Sequence, residues 1–153
     1  HLNDFKDREM FRTDMRHILG YVPNFEAFAA ELTELAEVVV GAAVTLTAED
    51  LRRKHGCPRE EHGGEVPWCV AALGKCGGEE LGFASDIELL FLYGGEGMSD
   101  GRDPLPNATW FQRLVERSTQ LIRAKREGVF HLDLRLRPYG KAGPLAVSQT
   151  AFQ

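Results

Sequence analysis

The chain lacks the features that most quickly assign a protein. No apolar run approaches the ~20 residues that a bilayer-spanning helix needs, which excludes a membrane-spanning role. The opening residues show no basic segment followed by an apolar one, the pattern of a secretory leader. Cysteine is scarce: Cys57, Cys69 and Cys76 are odd in number and have no CxxC spacing. That excludes a disulfide scaffold and fits free thiols in a reducing cytoplasm. His55, Cys57 and His62 lie close together, yet structural zinc takes four ligands in paired short spacings, so they read as solvated loop residues. Positive charge is also in deficit, with 18 Lys and Arg against 23 Asp and Glu and a net charge of −5. Broad binding to nucleic acid, which needs many cations on phosphates, is therefore disfavoured. There is no GxxxxGK[ST] frame and no repeat of solenoid period.

What is present bounds the rest. A length of 153 residues gives room for one domain with a proper core and hardly for two. The start, HLNDFKDREMF, reads as sequence from inside a longer protein. Residues 4 to 19 place Phe5, Met10, Phe11, Met15, Ile18 and Leu19 at helical spacing, until Gly20 and Pro23 stop the pattern. From Phe25, the positions Phe28, Leu32, Leu35, Val39, Ala43 and Leu46 recur in steps of three and four, giving a long amphipathic helix. Residues 1–56 are thus a helical lead-in, and the sheet and further helices are expected at 66–153.

Val66 to Leu73 reads as a buried strand, followed by a Gly77–Leu81 turn into helix. Ser85 to Tyr93, SDIELLFLY, is polar at its start and then apolar on both faces, as a central strand is. Gly94 to Asn107, rich in Gly and Pro, is expected as a mobile surface loop. Trp110 to Arg126 returns to helical spacing. Val129 to Arg137 alternates, with Phe130, Leu132, Leu134 and Leu136 on one face and His131, Asp133, Arg135 and Arg137 on the other. The order is that of an α/β (α+β) domain with a small sheet covered by helices.

Residues i and i+2 of a strand share a face, so Asp86 and Glu88 project together. Two carboxylates that close are unfavourable unless a cation sits between them, and a hard divalent ion such as Mg²⁺ suits oxygen ligands. Asp133 adds a third oxygen donor if its strand pairs beside the second, and three carboxylates can hold two ions. Arg135 and Arg137 share the Asp133 face and carry the planar fork that grips phosphate. Gly74-Lys75 ends a strand where backbone N–H groups can approach phosphate, and Ser85 adds a hydroxyl. Each pattern also has a plain reading. An acidic pair can be a solvated strand edge, alternating Arg a set of ion pairs, and Gly-Lys alone carries little.

The strings GKCGGEELGFASDIELLFLY and HLDLRLRPYGKAGPLAVS resemble the two signature blocks of the glutamine synthetase adenylyltransferase family. REMFRTDMRHILG and the helix carrying LTELAEVV resemble that family's segments ahead of the site, so the likeness covers nearly the whole chain. The resemblance implies a polymerase-β-like nucleotidyltransferase fold, with Asp86, Glu88 and Asp133 on the carboxylate positions. It puts Gly74, Lys75 and Ser85 on the nucleotide-binding turn, and Arg135 and Arg137 on the RLRP arginines. It also implies Mg²⁺, ATP as substrate, glutamine synthetase as protein substrate and a nitrogen-signalling regulatory protein as partner. Members are long and bifunctional: one domain adds AMP to a tyrosine of glutamine synthetase, and the other removes it by phosphorolysis. REMFR, ELGFASD and the GCP after the long helix are closer to the AMP-adding half. Two positions depart from the family pattern: Glu88 stands where Asp is usual, and Cys76 where Leu is usual. The Glu88 change keeps open a non-catalytic, nucleotide-sensing module.

Overall fold

The computed structural model describes residues 1–124, 130–138 and 140–152. Two helices lead, α1 (Leu2–Ile18) and α2 (Phe25–His55). Then follow β1 (Trp68–Ala72), the single turn α3 (Gly74–Gly77), β2 (Ile87–Tyr93), α4 (Asn107–Leu121), β3 (Leu132–Asp133) and β4 (Ala146–Ser148). This is a mixed α/β domain with a four-stranded sheet.

β2 is the central strand. β1 pairs with it antiparallel, from Trp68 opposite Tyr93 to Ala72 opposite Leu89. Its other edge takes two short parallel strands end to end, β3 opposite Ile87 and Glu88 and β4 opposite Phe91 to Tyr93. Ile87, Leu89, Phe91 and Tyr93 are buried on one face. That face packs on helices, and Tyr93 stacks on Phe111 of α4 at 4.6 Å between ring centres. Asp86 and Glu88 leave from the opposite face by the period-2 alternation.

The α2 helix is set by its ends and its stripe. Asn24 caps it, its side-chain oxygen accepting the Ala27 N–H at 2.9 Å. Gly56 closes it at φ 81. Phe28, Leu32, Leu35, Val39 and Ala43 are buried as their spacing predicts, but Leu46 is exposed. Thr33 and Thr47, buried in the same stripe, satisfy their hydroxyls on carbonyls four residues back. α4 buries Trp110, Phe111, Leu114 and Val115, and the Trp110 indole N–H donates to Gly56 O at 3.2 Å.

Five sequence expectations change. In α1 the buried side chains are Lys6 and Thr13, while Phe11 and Ile18 face out. Lys6 is accommodated by Asp7 at 2.7 Å and by the Phe130 ring beneath its ammonium. The helical turn falls on Gly74–Gly77, earlier than Gly77–Leu81. The 94–107 loop is cross-braced: buried Asn107 donates to Arg59 O and Gly95 O, and Asp100 accepts from Cys57 N and Arg59. The third strand, expected over Val129–Arg137, is confined to Leu132–Asp133 among the described residues; Val129 lies outside them. Its ladder ends because the Arg135 N–H is taken by the Asp133 carboxylate at 2.8 Å and Arg137 donates to the Leu134 carbonyl. His55, read as a loop residue, is instead the buried last residue of α2, its ring nitrogens at Asp103 O and Arg113.

Candidate active site

The predicted acids gather where β2 begins and β3 ends. Glu88 and Asp133 are register partners across the parallel β2–β3 pair, and the Ile87 N–H donates to His131 O at 2.8 Å. Asp133 is only 4% exposed. Arg135 holds it as a fork: Nε reaches Oδ1 at 2.9 Å and Oδ2 at 2.8 Å, and Nη2 reaches Oδ2 at 2.6 Å. The Arg135 backbone N–H also donates to Oδ1, so three N–H groups of this one residue turn to the carboxylate. The Arg135 side-chain bonds hold the Asp133 carboxyl below the usual carboxylate range, against the opposing effect of burial. The same pairing pushes the Arg135 guanidinium up.

Asp86 joins this group through His131 and Arg135. His131 Nδ1 lies 3.1 Å from Asp86 Oδ1, and Arg135 Nη2 lies 3.9 Å from Asp86 Oδ2. Sequence alternation put His131 on the face of Asp133 without giving it a role; that shared face was the signal. Glu88 turns elsewhere. Its carboxylate fills the space where a Cβ on Gly74 would stand, and Gly74 holds φ 53. Only glycine fits both the left-handed backbone and the neighbouring carboxylate.

The remaining predicted residues divide. Ser85 accepts the Gly82 N–H at 2.9 Å, fixing the approach to β2. Lys75 and Ser85 line a common cavity. Arg137 turns to backbone, donating to the carbonyls of Leu134 and Gly143. Cys76 is buried, and burial pushes its thiol up, with the charges of Glu37 and Glu88 adding.

Among the described residues, no three His, Cys, Asp or Glu side chains are grouped closely enough to hold a metal ion as they stand. The donor chemistry nonetheless fits a hard cation. Asp86 and Asp133 converge on one positive group, the Arg135 guanidinium, and Glu88 is the strand partner of Asp133.

A small mixed sheet with helices on one face, carrying carboxylates on adjoining parallel strands, is consistent with the polymerase-β-like class of nucleotidyltransferase. Comparison with known sequences gives the particular family. The family model described as glutamate-ammonia ligase adenylyltransferase matches residues 1–153. The bifunctional glutamine synthetase adenylyltransferase/adenylyl-removing enzyme of Thioalkalivibrio sulfidiphilus is 39% identical over 144 residues, covering 93% of this chain and 15% of the relative. The Bordetella pertussis protein of the same name is 39% identical over 147 residues, covering 94% and 16%. That of Methylococcus capsulatus is 34% identical over 149 residues, covering 96% and 16%. The chain belongs to the glutamate-ammonia ligase adenylyltransferase family. It spans 15 to 16% of the length of these relatives. Among the described residues, no helix is long and apolar enough to cross a membrane.

Proposed function

We propose that the chain is a Mg²⁺-dependent nucleotidyltransferase domain of a longer two-domain enzyme, moving AMP from ATP to a tyrosine of glutamine synthetase. Residues 1–56 lead into the catalytic part at 66–153, and the whole acts in the cytoplasm under a nitrogen-signalling regulatory protein. The observation that carries the reading is the pairing of Glu88 with Asp133 across β2–β3, with Asp86 tied to Asp133 through Arg135. Support for glutamine synthetase as acceptor comes from the relatives' names. The adding direction rests on the likeness of REMFR, ELGFASD and GCP to that half of the family.

Asp86, Glu88 and Asp133 are the residues that would hold Mg²⁺, one ion or two. Bound there, the metal would offset charge on the α-phosphate and on the departing pyrophosphate. The protein's own share is positioning and electrostatics, because phosphoryl transfer needs little covalent help. Arg135 is more than half exposed and has N–H groups beyond those turned to Asp133. These bind phosphate oxygens. Asp133, held ionised by that arginine, orients the guanidinium and helps to deprotonate or orient the incoming hydroxyl.

The test is incubation with glutamine synthetase, ATP and Mg²⁺, with mass analysis of its tyrosines. Asp86→Asn is expected to abolish AMP transfer while circular dichroism stays unchanged; turnover near the parent level overturns the site. A parallel incubation of AMP-modified glutamine synthetase with phosphate reads the direction: AMP release there without transfer identifies the removing half.

A further inference from the structure

A cavity of about 570 Å³ opens between the start of α2 and the loop from Lys75 to Ser85. Its size is within the range of small-molecule sites, which run from about 300 to 1,000 Å³. Lys75 and Ser85 line it, and Ser85 is one residue from Asp86. Its other wall comes from the helical lead-in, through Phe25 and Glu26.

Two properties of that wall indicate which part of a nucleotide belongs there. Phe25 is 52% exposed, an apolar ring left facing open space. It is nonetheless firmly placed. Asn24 caps the helix at its base, and the ring lies 5.9 Å from the fully buried Phe28, itself stacked on His17 at 4.3 Å. A backed aromatic ring with one free side is a stacking platform, and every base has a π-face to lay on it. The charge of the lining is the second property. Glu26, Glu79 and Glu80 face it, with Lys75 the one cation among the described residues that line it. An acidic wall repels a polyphosphate and accepts hydrogen bonds from neutral donors, such as ribose hydroxyls and base amines.

We propose that this cavity receives the nucleoside part of the nucleotide, its base stacked on Phe25 and its O–H and N–H groups bonded to the carboxylates. The phosphates then run past Ser85 toward Asp86. The assignment rests on the nucleotidyl-transfer reading and makes the lead-in helix part of the binding site. It also assigns Lys75 to the nucleoside end, where it offsets one of three carboxylates.

Calorimetric titration of the parent chain with ATP and with inorganic tripolyphosphate, each with Mg²⁺, separates the two ends of the ligand. Phe25 is half exposed, so Phe25→Leu keeps an apolar group against Phe28 while removing the ring's open face. Loss of the stack is expected to weaken ATP binding by about 5- to 100-fold while tripolyphosphate affinity is unchanged, and Phe25→Trp is expected to restore ATP. Equal weakening of both ligands by Phe25→Leu, or of neither, overturns the nucleoside assignment alone. A parent that binds neither ligand overturns the nucleotidyl-transfer reading, and this assignment with it.

Discussion

Gly74→Ala separates two costs that usually arrive together. At φ 53 an alanine must adopt a left-handed backbone, which costs about 1–2 kcal/mol. For a domain of this size that lowers Tm by about 2–8 °C. The added methyl group also meets the Glu88 carboxylate. That neighbour is the far end of a flexible, half-buried side chain, so it swings aside at little cost in stability. The displaced group is, however, one of the three proposed metal carboxylates. Loss of one preorganised electrostatic group typically lowers turnover by about 10²–10³-fold, and a drop of that order is expected in the AMP-transfer assay. A double-mutant cycle with Glu88→Ala exposes the cause. In stability, measured by thermal unfolding, the two substitutions should add. In activity they should not: once Glu88 is gone, Gly74→Ala should change turnover by less than about threefold, since the group it displaces is absent. Parent-level transfer by Gly74→Ala, or activity losses that multiply across the cycle, would refute the reasoning.

Gly56→Ala makes the opposite case: at φ 81 its Cβ would meet the Gly101 backbone, which cannot swing away, so its Tm loss should exceed that of Gly74→Ala, and thermal melts of equal or smaller size would contradict this. Acid unfolding tests the Asp133–Arg135 fork. The folded carboxyl is held below its ordinary value, so its contribution is present above about pH 4 and is lost as pH falls through the lowered folded value. Arg135→Gln should therefore be less stable than the parent at pH 7, in urea titrations, with the gap closing below pH 4; a gap independent of pH would show that the fork is not its source.

The parts of the fold legible in the sequence are those in which many residues repeat one message. α2 buries the stripe that its three- and four-residue steps announce, because a 31-residue helix averages over any single misfit such as Leu46. β2 was legible for the same reason, its apolar run lying between β1 and the β3–β4 edge. Where one residue decides, the pattern misleads. α1 has its apolar spacing but buries Lys6, because a single neighbouring carboxylate and the Phe130 ring make that burial tolerable. β4 has three residues, too few for an alternation to register.

The third strand shows why the residues of the candidate site were legible in the sequence but their arrangement was not. Asp133 and Arg135 are two apart, and on an extended strand that spacing puts both on one face. The same spacing lets an aspartate side chain take the backbone N–H two residues on, which turns the chain instead of extending it. Local sequence does not choose between these; the available sheet edge does. β3 uses β2 at Ile87 and Glu88, and β4 takes the same edge from Phe91 onward. A nine-residue strand over Val129–Arg137 has no partner for its second half. The Arg135 N–H, denied a ladder, bonds to Asp133, and that turn brings the guanidinium back over its carboxylate and toward Asp86. β4, too short to be seen in the sequence, therefore sets how the Asp133 carboxylate is held.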